Sequence, residues 1–320
     1  MSNLLTVRVA HKRPLATDIV GLELVAADGG ALPAFDAGAH IDLHLPGGVV
    51  RPYSLCNSPA ETHRYQLGVL REPASRGGSV AVHTLLQVGQ TLQISAPRCH
   101  FALQPGAPRS LLLAGGIGIT PLLAMAEQLA ADGADFALHC AARSADRAAF
   151  AARLLMAPWA PRVHLHLDDG EPARRLDLPA LLAAPQAGTQ LYVCGPGGFI
   201  DAVLATARAA GWPEAQLHCE RFGAVAETRD TDAAFEVQLG AGGRVVLVAR
   251  GQTVAQALAQ AGAPLTTSCE QGVCGTCLTR VLDGTPDHRD QYLTPEEQAA
   301  GDQFLPCCSR ACSPRLVLDL

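Results

Sequence analysis

From residue 4 to about 104, apolar and polar positions alternate with period two in short stretches. TVRVAHK (6–12), DIVGLELV (18–25) and HIDLHLP (40–46) show it, and Gly-Gly and Pro-rich turns separate them. Period two puts one side of each strand against a core, so this region is expected to form an antiparallel sheet or barrel. From about Arg109 the pattern changes. RSLLLAGG reads as a buried strand and TPLLAMAEQLAADG as a helix, with Thr120 at its N-cap, Pro121 at N1 and Gly133 past its end. DFALHCAAR, RVHLHLDD and QLYVCGPGG follow as apolar strands separated by helical stretches. That alternation predicts an open parallel sheet of βαβ units. GAVAETRDTDA (223–233) is small and polar, as a linker would be. The last stretch reads as a hairpin and short helix over 235–262, a cysteine-rich loop, a polar stretch and a closing strand PRLVLDL. The expected division is 1–105, 106–223, a linker at 224–233, and 234–320.

Length agrees, since 320 residues exceed what one hydrophobic core usually serves. A net charge of -6 argues against nucleic acid or an anionic membrane surface as partner. The first residues lack the apolar run of a signal peptide. The most apolar stretch, Leu111 to Ala126, is interrupted by Gly115, Gly116, Gly118, Thr120 and Pro121, too broken to span a bilayer. A cytoplasmic chain acting as a monomer is the expectation. Eleven cysteines then point to metal binding, redox chemistry or packing rather than disulfides.

SCEQGVCGTC places Cys269, Cys274 and Cys277 at C-x4-C-x2-C spacing, the plant-type [2Fe–2S] pattern when a distant fourth cysteine joins them. A loop suits this chemistry, because three sulfurs must converge while backbone N–H groups turn toward electron-rich sulfur. Zinc is the alternative, but its ligands more often come as two C-x2-C pairs. For the fourth ligand, LPCCSRACSPRL offers Cys307, Cys308 and Cys312. Neighbours in extended backbone point to opposite sides, so Cys307 and Cys308 are not both expected at the cluster, and Cys312 stands far along toward the closing strand.

The stretch from Ser268 to Ala311 resembles the C-terminal ferredoxin domain of the phthalate dioxygenase reductase family. In that family an FMN barrel comes first, an NAD domain second and the ferredoxin last, which is the order of the three regions here. The resemblance implies a multidomain chain: an antiparallel β-barrel flavin domain, an α/β parallel-sheet NAD domain and an α+β β-grasp ferredoxin domain. It also implies Cys307 as fourth ligand, because the family's ligand stands two residues before a Ser-Arg pair.

In the first region, RPYSL (51–55) and SRGGSV (75–80) are the candidate flavin residues. A Gly-rich turn opening a helix leaves N–H donors for an anion, and an arginine can add a charged contact to a phosphate. By resemblance Arg51 and Ser79, with Gly77 and Gly78, hold the FMN phosphate. Tyr53 packs against the ring, and Ser54 hydrogen-bonds near its reactive N5. A compact monoester phosphate site suits FMN, and no added surface for an adenylate is visible in the sequence.

In the second region LLLAGGIGITP departs from G-x-G-x-x-G, because Pro121 stands where the third glycine would be. It resembles the pyrophosphate loop of ferredoxin-reductase-like NAD domains, with Gly115, Gly116, Gly118 and Thr120 facing the phosphates. YVCGPGGFIDAV resembles the second signature of that superfamily, which implies Cys194, Gly195 and Pro196 under the nicotinamide. Phe222, in ERF, is implied to stack where nicotinamide enters. Asp146 follows the second strand of this domain and favours NADH by repelling a 2′-phosphate, while Arg143 and Arg147 point the other way.

The three sites belong together chemically. Nicotinamide gives up two electrons as a hydride and a [2Fe–2S] cluster takes one at a time, so a flavin must stand between them. Ser54, Cys194 and Phe222 are the residues expected at the hydride step. The chain reads as an NADH-dependent reductase, and the resemblance implies a Rieske-type non-haem iron oxygenase as transient partner, acting on an aromatic acid or related small molecule. A P450 partner is the alternative among enzymes, and a metal-stabilised binding module without turnover is the alternative outside them.

Overall fold

Seven short strands, β1 (Leu5–Ala16), β2 (Ile19–Ala26), β3 (Ala39–Leu45), β4 (Val49–Ser54), β5 (Tyr65–Leu70), β6 (Thr91–Ile94) and β7 (Arg98–Cys99), form the first sheet. Its order is β4-β3-β6-β1-β2-β5, with β7 on β3, and every pair is antiparallel. A bridge between Leu55 and Leu67 joins the two end strands, so the sheet closes on itself as a barrel. The inward residues, Val7, Val9, Leu24, Ile41, Leu43 and Ile94, are fully buried. The period-two pattern of the sequence is this inward row. Between β5 and β6 lies a helix of two turns, α1 (Gly78–Thr84). The computed structural model describes residues 4–73, 75, 77–171, 174–223, 229, 231–263 and 265–320.

The second sheet holds β8 (Arg109–Gly115), β9 (Phe136–Ala142), β10 (Val163–Leu167), β11 (Thr189–Gly195) and β12 (Leu217–Arg221) in the order β10-β9-β8-β11-β12, all parallel. Helices α2 (Ile119–Ala131), α3 (Ala151–Met156), α4 (Leu178–Leu182) and α5 (Gly197–Ala209) cover it, α2 with one core and α4 and α5 with another. The chain order reverses between β8 and β11, and the carboxyl ends of strands at such a switch point are where open α/β sheets bind ligands. The glycine loop and the Cys194 turn both sit there. One expectation fails in detail. Residues 116–118 form a 3-10 turn that runs straight into α2, so Gly118 is the N-cap and Thr120 lies inside the first turn. Its hydroxyl donates to the Ile117 carbonyl at 3.0 Å instead of capping the helix.

The chain separates into two compact units, Met1–Arg221 and Phe222–Leu320. The barrel and the parallel sheet form one unit because they share a core in which Val9 and Ile41 join Leu112, Ile119 and Leu122. Of the expected linker, residues 224–228 and 230 lie outside the described residues.

The second unit contains β13 (Phe235–Leu239), β14 (Val245–Val248), α6 (Val254–Gln260), β15 (Thr279–Asp283), β16 (Pro286–Asp287), α7 (Pro295–Ala300), β17 (Gln303–Phe304), β18 (Arg310–Ala311) and β19 (Arg315–Leu318). The sheet order is β14-β13-β19-β15-β17, with β13 and β19 parallel and the other pairs antiparallel. Val254, Ala257 and Leu258 of α6 pack on its apolar face, which is the β-grasp arrangement. Thr253 and Gln256 start α6 with a reciprocal capping box.

Candidate flavin, nucleotide and iron–sulfur sites

Arg51 lies on β4, and its aliphatic stem crosses Gly78 at the start of α1. A Cβ at Gly78 would overlap Arg51 Cγ, so only glycine lets the arginine lie here. Gly77 stands before the helix with φ 91° and offers no side-chain cap of its own. The Arg51 side chain and the first turn of α1 thus share one place, the combination that suits a phosphate. The Ser79 hydroxyl accepts from Glu72 N at 3.1 Å and donates to Ser75 Oγ at 3.0 Å, which ties this loop together. Tyr53 is half-buried on the same strand. Burial pushes its phenol up to about 12 against the opposing charge of Arg51, so it stays neutral.

Parallel pairing of β8 with β11 sets Cys194 opposite Ala114 and brings together two segments about eighty residues apart. A Cβ at Gly118 would overlap the Cys194 carbonyl, and one at Gly115 would meet Phe199 at 2.8 Å and Pro196 at 3.0 Å. The loop of Gly115, Gly116 and Gly118 therefore rests on the Cys194-Gly195-Pro196 turn. Asp146 is exposed, and its carboxylate accepts from Ser144 Oγ at 2.5 Å and from Thr17 Oγ1 of the barrel at 2.6 Å. Both oxygens are already engaged, one by the barrel and one by the neighbouring Ser144. Phe222 is 39% exposed and begins the second unit.

Sequence reasoning missed Glu220, although ERF contains it. β12 pairs with β11 so that Glu220 stands beside Cys194. Its carboxyl is buried and hydrogen-bonded with Ser54 of the barrel, and its Oε2 meets no hydrogen-bonding partner. Burial pushes its pKa up to about 8, against the lowering effect of the Ser54 hydrogen bond. Cys194 is fully buried, and burial first, then the Glu220 charge, keeps it a thiol. Ser54, Cys194 and Glu220 thus come from β4, β11 and β12 to one buried place. The missed signal was an acidic residue at a parallel strand's carboxyl end, two residues before an aromatic expected at the flavin.

The Glu220 carboxyl holds a proton at pH 7 that it loses near pH 8. Between about pH 4.5 and 8 the folded chain keeps this proton and the unfolded chain does not, so the contribution of Glu220 to stability falls as pH rises. Glu220→Gln removes that loss and should melt higher than the parent at pH 8.5. A carboxylate here would also favour the positive charge left on a nicotinamide when hydride departs. Flavin reduction by NADH should therefore rise about tenfold through pH 8, the equivalent of one unit of differential pKa. Glu220→Gln should stay on the low-pH plateau. Stopped-flow reduction rates from pH 6 to 9.5 check this, and a parallel step in both proteins would remove Glu220 from that role.

The segment from Cys269 to Cys277 has no regular secondary structure. Cys269, Cys274, Cys277 and Cys307 are each buried to 5% exposure or less. Cys269 Sγ hydrogen-bonds with Cys274 and Cys307, and Cys277 with Cys307, so the four sulfurs converge. Gln271 N donates to Cys269 Sγ at 3.3 Å, the inward N–H that negatively charged sulfur requires. Hydrogen bonds from Cys274 and Cys307 favour the thiolate of Cys269, and the same bonds push Cys274 and Cys307 up. Cys312 is exposed. Residues 306–308 form a turn rather than extended backbone, so strand alternation does not separate Cys307 from Cys308. The turn separates them instead. Cys308 adjoins Cys307, but its sulfur lies against Gly272 and is directed to the Leu305 carbonyl at 3.7 Å and Ser309 Oγ at 3.7 Å.

Residues 238–312 match the 2Fe-2S iron-sulfur cluster binding domain family. The vanillate O-demethylase oxidoreductase of Pseudomonas sp. (strain HR199 / DSM 7063) is 54% identical over 99% of this chain and 100% of that one. The structure of phthalate dioxygenase reductase, described as modular for electron transfer from pyridine nucleotides to [2Fe–2S], superposes with TM-score 0.78 at 36% identity. It covers 99% of this chain and 98% of that one.

The chain belongs to the phthalate dioxygenase reductase family.

Within that family it is an NADH-dependent oxidoreductase with FMN and a [2Fe–2S] cluster, the reductase component of an oxygenase system. Residues 95–217 also match the N-terminal domain of dimethylamine monooxygenase subunit DmmA-like proteins. An intact type IV self-sufficient cytochrome P450 monooxygenase carries a similar module. It superposes with TM-score 0.86 at 43% identity, over 99% of this chain and 41% of that one. No described helix is long and apolar enough to cross a membrane.

Proposed function

We propose that this reductase supplies a Rieske-type non-haem iron oxygenase that acts on an aromatic acid, through a transient complex at its ferredoxin unit. The observation that carries this reading is the end-to-end match to a vanillate O-demethylase oxidoreductase. When bound, the flavin takes hydride from NADH and returns single electrons to the [2Fe–2S] cluster. The residues present fit these groups. Arg51 and the first turn of α1, from Gly77 to Ser79, hold the FMN phosphate, and Tyr53 flanks the ring. Ser54 Oγ hydrogen-bonds at the flavin's reactive edge, and Glu220 orients that hydroxyl and holds a proton behind it. Gly115, Gly116, Gly118 and Thr120 admit the pyrophosphate. Cys194, Gly195 and Pro196 form the floor under the nicotinamide, with a neutral thiol that does not repel hydride. The family resemblance assigns Phe222 to the nicotinamide entrance and Asp146 to the adenosine ribose. Cys269, Cys274, Cys277 and Cys307 ligate the cluster.

The partner surface follows from charge. Residues 234–320 carry nine Asp and Glu against six Arg, a net of -3 before the cluster adds its own charge. A basic patch on the oxygenase fits such a surface, and rim charge governs encounter rate and salt dependence. The likeness to a self-sufficient P450 favours P450 haem as a second reading. Reconstitution decides between them. NADH-driven turnover is expected with an aromatic-acid Rieske oxygenase, falling several-fold between 50 and 500 mM salt, roughly as screening of exposed charges predicts. Faster reduction of a P450 haem domain than of any Rieske oxygenase would contradict the proposal.

A further inference from the structure

The start of α3 touches both the barrel and the parallel-sheet half of the first unit. Phe150 opens this helix in the left-handed region, with φ 62° and ψ 6°. A bulky side chain adopts that backbone only where surrounding contacts hold it, and such outliers gather at functional places. Here the contacts come from β5 and α2. A Cβ at Gly68 would meet Phe150 Cε2 at 3.0 Å, Phe150 Cζ at 3.1 Å and Thr120 Cγ2 at 2.9 Å. The ring and the Thr120 methyl therefore meet over the bare backbone of Gly68. Three residues later, Arg153 repeats the connection. Its Nη1 donates to the Cys56 carbonyl at 3.2 Å and to Gln66 Oε1 at 3.1 Å. Its Nη2 donates to Glu127 Oε1 of α2 at 2.8 Å.

Each end of this connection lies beside a cofactor residue. Cys56 is two residues beyond Ser54, and β5 closes the barrel against the end of β4 at the Leu55–Leu67 bridge. Thr120 stands in the first turn of α2, directly after the glycine loop. We propose that Phe150 and Arg153 are positioning residues for the hydride step: they fix the spacing between β4 and the nucleotide loop, and with it the distance from nicotinamide to flavin. The proposal rests on the reading that puts FMN at residues 51–54 and 77–79 and the pyrophosphate at residues 115–120. Hydride transfer needs its reacting atoms about 3–3.5 Å apart, and a misplacement of about 1 Å costs on the order of a hundredfold. Two side chains of one short helix, each reaching β5 on one side and α2 on the other, give the two sites a common rest.

The test uses the full-length holoprotein with Phe150→Leu, Arg153→Met and Gly68→Ala. Alanine at 68 removes no contact, but its methyl would crowd Thr120 and Phe150, so one of them must shift. In anaerobic stopped flow, the limiting rate of flavin reduction at saturating NADH should fall at least about tenfold in each variant. The Kd for NADH should stay within about threefold of the parent, the split expected when geometry and not binding is lost. The long-wavelength absorption of nicotinamide stacked on flavin should weaken in parallel. In the oxidised holoprotein, before NADH is added, hydrogen exchange should quicken in β5 and in the first turn of α2 and stay parental in β1. A parental limiting rate in Phe150→Leu and Arg153→Met overturns the proposal. So does a raised Kd at an unchanged limiting rate, because the contacts would then serve binding alone. Loss of FMN from both variants overturns it as well, since the contacts would then build the flavin site. Arg51→Ala, run alongside, should weaken FMN binding, and unchanged binding would contradict the flavin placement itself and take the proposal with it.

Discussion

Cys307→Ala is expected to yield protein without iron–sulfur absorption, whereas Cys308→Ala and Cys312→Ala should keep it. Of the three candidates, Cys307 alone has its sulfur hydrogen-bonded with both Cys269 and Cys277. Cys308 is directed to the Leu305 carbonyl and Ser309, and a buried cysteine of that kind acts as a small hydrophobe that alanine replaces at modest cost. Cys312 is exposed, and its backbone N donates to the Thr285 carbonyl at 2.9 Å, which holds it beside β18. Because the cluster binds only the folded loop, its loss should also lower the melting temperature of the ferredoxin unit. The measurement is iron content and visible absorption of the three variants purified in parallel. Cys308→Ala without a cluster beside a normal Cys307→Ala would reverse the assignment.

Cys274→Ser or Cys277→Ser should stop electron delivery while leaving the flavin half intact. The reason is architectural. Every residue assigned to FMN and NADH, except Phe222, lies within Met1–Arg221, and every cluster ligand lies within Phe222–Leu320. The core that includes Leu55 and Cys194 is built wholly from the first unit's own residues. NADH should still bleach the flavin at the parental rate, and acceptors that take electrons from flavin should still turn over. Reduction of cytochrome c or of the oxygenase should fall to background, a loss of at least about a hundredfold. Activity with ferricyanide and with cytochrome c on the same preparation separates the two halves. Flavin reduction that collapsed along with delivery would contradict the linear order.

Much of this was legible because local pattern and tertiary context agree. Strands such as LTVRVAHK and RSLLLAG have one buried row or two, and their periodicity declares which sheet they enter. The cysteine loop was legible because metal ligation fixes both spacing and residue type. Three features were not. The start of α2 was misread because a Gly-rich 3-10 turn supplies the cap geometry that Thr-Pro usually signals. Glu220 gains its meaning only from strand pairing with Cys194 and from Ser54, 166 residues away in the chain. Asp232 sits in a polar, linker-like stretch, and its two arginine partners come from 57 and 78 residues further on. Long-range pairing of buried charges leaves no periodicity to read.

One chain converts a hydride into single electrons, flavin first and cluster second. Anaerobic stopped-flow mixing of the holoprotein with one equivalent of NADH tests it directly, with flavin and cluster followed at separate wavelengths and by freeze-quench EPR. The flavin should bleach first, and the reduced-cluster signal should grow at a slower rate that does not depend on NADH concentration. A cluster signal that rises with or before flavin bleaching, and that survives removal of the flavin, would contradict it.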